Sequence, residues 1–292
     1  MVANSTNSPA SGLPKVAFVY DFDGTLARDN IQEHSLLGLL GEEQVRPFWD
    51  RVEARAQDAN ADQILMYLFE ILESAKRNGI KLTKDLLEKH GRQTPLLPGV
   101  EDWFQRINVF ARDLGLDPVH YIVSSGNEEM IRGTVIADCF QYIFACKYLF
   151  DANGEACWPS VVVNYTTKTQ FLFRINKDIE NFWNDKSLNA WMEKPTRPVP
   201  FERMIFFGDG DTDIPAMKMT REQGGYSIAV FDPAKWKQAA AKEKVHKLIS
   251  EDRVSYVTSG DYREDSLLDA TVKGILSRIG RQLETPPSGS HR

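Results

Sequence analysis

Two stretches of the chain concentrate carboxylates beyond anything their surroundings require. Asp21-Phe22-Asp23-Gly24-Thr25 sets two acids one residue apart, and Gly208-Asp209-Gly210-Asp211-Thr212-Asp213 places three within five residues. Like charges at that density repel unless a cation or hydrogen-bond donors compensate. A hard cation such as Mg²⁺ takes oxygen ligands and is commonly shared with substrate phosphate, so it suits both stretches. The DxDxDG spacing and distal Glu of an EF-hand calcium loop are not present here. Ser124-Ser125-Gly126 adds a hydroxyl and small residues ahead of a helical segment expected near Asn127, a ready anion site. Lys168 opens another helical segment, where the helix dipole disfavours a cation, so a phosphate or carboxylate partner is expected for it.

The elements that must hold these groups are short apolar runs. Val16 to Tyr20 ends at Asp21, Val119 to Val123 ends at Ser124, and Arg203 to Phe207 ends at Gly208. Such runs form strands buried on both faces, and ligands sit outside the carboxyl ends of strands in open parallel sheets. Strands and helices alternate through the rest, with a strand at Tyr226 to Val230, a helix at Pro233 to Leu248, an edge strand at Val254 to Val257 and a last helix at Ser266 to Leu283. The expected fold is therefore α/β, a doubly wound, Rossmann-like parallel sheet. Tyr142 to Phe150 and Ala156 to Asn164 flank Asn153-Gly154, a hairpin signal.

Between the first acidic turn and Pro95 the period becomes helical. Val45, Phe48, Trp49, Val52 and Ala56 share one helical face, and Ile64, Leu65, Leu68, Ile71 and Leu72 another. Residues 29–94 thus read as an inserted helical cap, with residues 15–28 and 95–284 as a discontinuous core domain. Residues 1–14 and 285–292 read as a disordered and a flexible tail. The polar stretch from Asp178 to Pro200 carries no functional signal.

A net charge of −6 without a basic stripe speaks against a nucleic-acid surface. No apolar run approaches a membrane span, and the polar N-terminal stretch is no signal peptide. Cys139, Cys146 and Cys157 form no CxxC pair and are expected to be small buried hydrophobes, so a cytoplasmic location is expected. His34 has no second ligand at metal spacing. Nothing in the pattern fixes an oligomeric state.

Taken in this order, the stretches resemble the four motifs of the haloacid dehalogenase superfamily: Asp21 to Thr25 the first, Ser124 the second, Lys168 the third, and Gly208 to Asp213 the fourth. The resemblance implies a phosphatase acting on a small phosphorylated metabolite. Asp21 would be the nucleophile and Asp23 the general acid and base. Mg²⁺ would be held by Asp21, the Asp23 carbonyl and Asp209, with Asp213 behind them, and phosphate by Ser124, Ser125, Gly126 and Lys168. The cap placement resembles the phosphoserine phosphatase branch, but the Glu that grips the substrate amine there is Asn30 here, leaving Asp29 and Glu33 as local substitutes. A phosphotransferase or mutase would use the same residues, and a non-catalytic phospho-ligand binder is a further reading. Asp211 has no assigned role.

Overall fold

The computed structural model describes residues 12–42, 44–210 and 212–284. The expectations for most of the N-terminal tail, for residues 285–292 and for Asp211 lie outside these residues.

The chain runs β1 (Lys15–Tyr20), α1 (Leu36–Leu39), α2 (Val45–Asp58), α3 (Gln63–Arg77), α4 (Lys84–Gly91), α5 (Val100–Asp113), β2 (Asp117–Asn127), α6 (Glu128–Gly133), β3 (Tyr142–Phe150), β4 (Ala156–Val161), α7 (Lys168–Asn176), α8 (Asp185–Asn189), β5 (Met204–Gly208), α9 (Ile214–Glu222), β6 (Tyr226–Phe231), α10 (Ala239–Ser250), β7 (Tyr256–Ser259) and α11 (Leu267–Glu284). One seven-stranded sheet has the order β4-β3-β2-β1-β5-β6-β7. All its pairs are parallel except β3 with β4, the hairpin closed at Asn153-Gly154. The fold is the expected α/β sheet, with an antiparallel edge.

β1 lies at the centre, and Val16 to Tyr20 are fully buried, as their unbroken apolar run requires. Lys15 pairs with Asp117 on one side and Ala17 with Met204 on the other. That register brings the carboxyl ends of β1, β2 and β5 together, and with them the first acidic turn, Ser124 and Gly208.

Several boundaries differ from the sequence reading. β2 runs on through Ser125 and Gly126 to Asn127, with a register shift against β3 between Ser124 and Asn127. Asn127 then caps α6, its side chain accepting from the Met130 amide. The edge strand starts two residues later than expected, at Tyr256, and the helix after β6 starts at Ala239, behind a single 3-10 turn at Pro233–Lys235. Leu65 is exposed, and Tyr67 and Glu70 take buried places on α3. Cys146 is buried as expected, whereas Cys139 and Cys157 are exposed.

The helices of residues 29–94 sit against the core through specific contacts. The Tyr67 hydroxyl donates to the Ser125 carbonyl at 2.6 Å, and the Tyr148 hydroxyl to the Leu68 carbonyl at 2.9 Å. α4 and α6 meet backbone to backbone. A Cβ on Gly91 would lie 1.8 Å from the Met130 carbonyl oxygen, and one on Gly133 would lie 1.9 Å from that of Glu88. Within α2 and α3, buried Glu70 is paired by Arg51 and Arg55. In the stretch 178–200, Asp185 and the carbonyls of Asn181 and Phe182 hold buried Arg174, while Trp183 and Trp191 face solvent. Among the described residues no helix is long and apolar enough to cross a membrane.

Candidate active site

Where β1 leaves the sheet the chain turns at once: the amides of Leu26 and Ala27 both bond the Phe22 carbonyl at 3.0 Å. Gly24 adopts a φ of +72°, and a Cβ there would lie 2.7 Å from Oδ2 of Asp209. Glycine is thus needed twice over, for the left-handed backbone and for the approach of the two acidic stretches. Asp21 is buried, and its Oδ1 accepts from the Phe22 amide at 2.8 Å and lies 3.0 Å from Lys168 Nζ.

Lys168 is fully buried at the start of α7, and its ammonium also lies 2.6 Å from Asp213 Oδ1. Burial would pull its pKa down, but the charges of Asp21 and Asp213 outweigh that and hold it above the ordinary value. The cation that was misplaced for the helix dipole is the counter-ion of this cluster. Asp213 Oδ2 accepts from the amides of Asp209 and Gly210, at 3.1 and 3.4 Å, which ties the fourth stretch into a closed loop. Carboxylate oxygens of Asp21, Asp209 and Asp213 all lie within 4.8 Å of one another. Burial, and next the charge of Asp21, push Asp213 up to about 7. Burial also raises Asp209, partly offset by Lys244, whose Nζ is 3.3 Å away. One buried lysine does not neutralise three carboxylates, and an all-oxygen donor set of this size fits a hard divalent cation such as Mg²⁺.

Asp23 stands apart from that cluster. Its Oδ1 accepts from the Ile31 amide at 2.9 Å, and a Cβ on Gly126 would come within 3.0 Å of its Oδ2. Burial, followed by the neighbouring Asp21 charge, raises its pKa well above the ordinary value. Ser124 is fully buried, with Oγ accepting from the Gly126 amide at 3.0 Å, and the buried Ser125 Oγ has no partner.

A cavity of about 440 Å³ opens over these groups and brings together Asp21, Asp23, Ser124, Ser125 and Asp209. Asn30 and Glu33, named from sequence, also face it, together with Gln32, Trp49, Tyr67 and Tyr165, which sequence reasoning did not place there. Glu33 Oε1 accepts from Asn30 Nδ2 at 2.5 Å and from Trp49 Nε1 at 2.6 Å. Asp29, also named from sequence, lines the cavity too, paired with Lys235 rather than with Glu33. His34 bonds the Arg28 carbonyl at 2.6 Å. Lys235 and Lys244 at the mouth come from the segment after β6, which carried no motif.

The model of the haloacid dehalogenase-like hydrolase family matches residues 18–218, and the chain belongs to that family. A probable phosphoserine phosphatase from Vibrio cholerae shares its fold with a TM-score of 0.53 and 13% identity, over 93% of this chain and 68% of that one. A HAD family hydrolase from Salmonella enterica serovar Typhi gives a TM-score of 0.50 and 18% identity, over 77% of this chain and 66% of that one, so the chain spans just under two thirds of its length. An uncharacterized protein of Borreliella burgdorferi is 26% identical over 230 residues, 70% of this chain and 78% of that one.

Proposed function

We propose that this hydrolase is a Mg²⁺-dependent phosphatase that cleaves a small phosphorylated metabolite through an aspartyl-phosphate on Asp21. The observation that carries the reading is the buried constellation in which Lys168 touches both Asp21 and Asp213 while Asp209 closes the same oxygen cluster. Asp21, the Asp23 carbonyl and Asp209 would hold the cation, with Asp213 fixing Lys168 and the loop amides behind them. The bound ion would offset the negative charge of nucleophile and phosphate.

Asp21 Oδ1 is engaged by Lys168 and the Phe22 amide, which leaves Oδ2 to attack phosphorus. As the ester oxygen departs it takes the proton of Asp23, whose burial beside the Asp21 charge raises its pKa and so favours the acid form. Asp23, now a carboxylate, takes a proton from the water that attacks the aspartyl-phosphate, releasing phosphate and regenerating the Asp21 carboxylate and the Asp23 acid. Ser124, Ser125 and Lys168 would hold the phosphoryl oxygens, the Gly126 amide being taken up by Ser124 Oγ. Residues 29–94 act as a lid, and the leaving group lies against Asn30 and Glu33 on its inner side.

Acid-quenched incubation with a ³²P-labelled substrate tests the reading. Label should be recovered on the peptide containing Asp21 and should be missing from Asp21→Asn; label on another residue would reject the nucleophile assignment.

A further inference from the structure

Gln32 is only 2% exposed, faces the catalytic cavity, and its Oε1 has no hydrogen-bond partner. No described residue bonds its Nε2 either. A buried amide left unmet is costly, and a leucine would fill the space without that cost, so a retained one needs a reason. The position is fixed by the reacting centre itself: Gln32 sits in the 3-10 turn Ile31–Glu33, whose first amide donates to Asp23 Oδ1. Beside it, Glu33 has Oε1 saturated by Asn30 and Trp49, while Oε2 accepts from no described residue. Trp49, Ile64, Tyr67 and Tyr165 supply the flat or apolar wall of the same cavity.

The chemistry of these unmet groups selects among leaving groups. An amide offers both a donor and an acceptor, and the carboxylate offers an acceptor alone. An ammonium, which only donates, would leave Gln32 Nε2 unpaired. A second anionic group would oppose Glu33, and an alkyl chain would leave every polar atom unmet. Hydroxyl groups both donate and accept, so a polyol can give a proton to Glu33 Oε2 and accept one from Gln32 Nε2 while its C–H faces lie on the rings. Building on the phosphatase reading, we propose that the cavity selects a polyhydroxylated phosphomonoester, a sugar or sugar-alcohol monophosphate, with Gln32 and Glu33 as the residues that set specificity.

The test compares kcat/KM for ribose 5-phosphate and glycerol 1-phosphate with the chain-matched pentyl and propyl phosphates and with 2-aminoethyl phosphate. A site built to bond hydroxyls should favour the polyols over the matched alkyl esters by about a hundredfold or more. In Gln32→Leu that ratio should collapse toward unity, mainly through KM. The same variant should melt no lower than the wild type, because an unmet amide has been removed; should it fail to fold, Gln32→Met makes the same comparison. Equal turnover of polyol and alkyl esters, or a preference for the aminoethyl ester that Gln32→Leu leaves intact, would overturn the proposal while the phosphatase reading stands. If no ester is cleaved, p-nitrophenyl phosphate included, the phosphatase reading fails. Calorimetry then decides the polyol inference: ribose 5-phosphate binding about tenfold more tightly than pentyl phosphate upholds it, and equal affinity ends it.

Discussion

Lys168 Nζ lies 2.6 Å from Oδ1 of Asp213, and both side chains are wholly out of contact with solvent. A buried ion pair adds little net stability, yet removing one partner strands the other charge, at a cost of about 3–5 kcal/mol. Lys168→Met should therefore lower stability by about that amount in urea unfolding without metal. Adding Asp213→Asn should recover part of the loss, because one of the stranded carboxylates is then gone. Additive losses in the double variant would show that the two residues do not act as a pair.

The same cluster makes the metal-free protein lose stability as pH rises from the mildly acid range to neutrality. Asp213 is raised to about 7 from an ordinary 3.8, so between those values the folded state binds more protons than the unfolded one, and stability falls as pH rises through that window. Glu129, which burial lifts to about 7, adds a loss of the same sign. The melting temperature in EDTA should drop from pH 5 to pH 8. Mg²⁺ should remove the share due to Asp213 and leave the Glu129 share, which Glu129→Gln should abolish. A melting temperature that rises over this range in EDTA would contradict the assignment.

Asp23 should matter most when the leaving group is poor. In Asp23→Asn, kcat/KM for an alkyl phosphate should fall by about 10²–10⁴, the usual worth of a positioned general acid, and much less for p-nitrophenyl phosphate, whose phenolate departs without a proton. Equal losses for both esters would remove Asp23 from that role.

Lys244 lies 3.3 Å from Asp209 Oδ2, at the edge of the proposed metal site. The pair is about one-third exposed on each side, so solvent screens it. Any cation bound by Asp209 must displace this ammonium. Lys244→Met should bind Mg²⁺ roughly two- to fivefold more tightly in a calorimetric titration. Weaker binding would mean that Lys244 instead holds Asp209 in place for the metal.

What the sequence revealed and what it concealed follow from the range of each interaction. The buried strands were legible because burial on both faces demands unbroken apolar runs, and the acids at their ends, which singly could cap a helix, pointed to a cation once both stretches were taken together. Lys168 was legible through its conflict with the helix dipole. The end of β2 was not, since Ser124-Ser125-Gly126 reads as small residues ahead of a helix and nothing local extends the strand to Asn127. Gln32 and the Glu33–Trp49 bond were hidden because a one-turn helix has no periodicity to read. Lys235 and Lys244 reach the cavity only through the packing of α10 and the turn before it, and nothing local to them marks that.

Phosphate release from p-nitrophenyl phosphate, measured with Mg²⁺ and with EDTA for the wild type and for Asp21→Asn, addresses the central claim most directly. The account predicts release that requires the metal and disappears in Asp21→Asn while that variant remains folded. Release that survives EDTA, or an Asp21→Asn protein that turns over at a rate near the wild type, would contradict it.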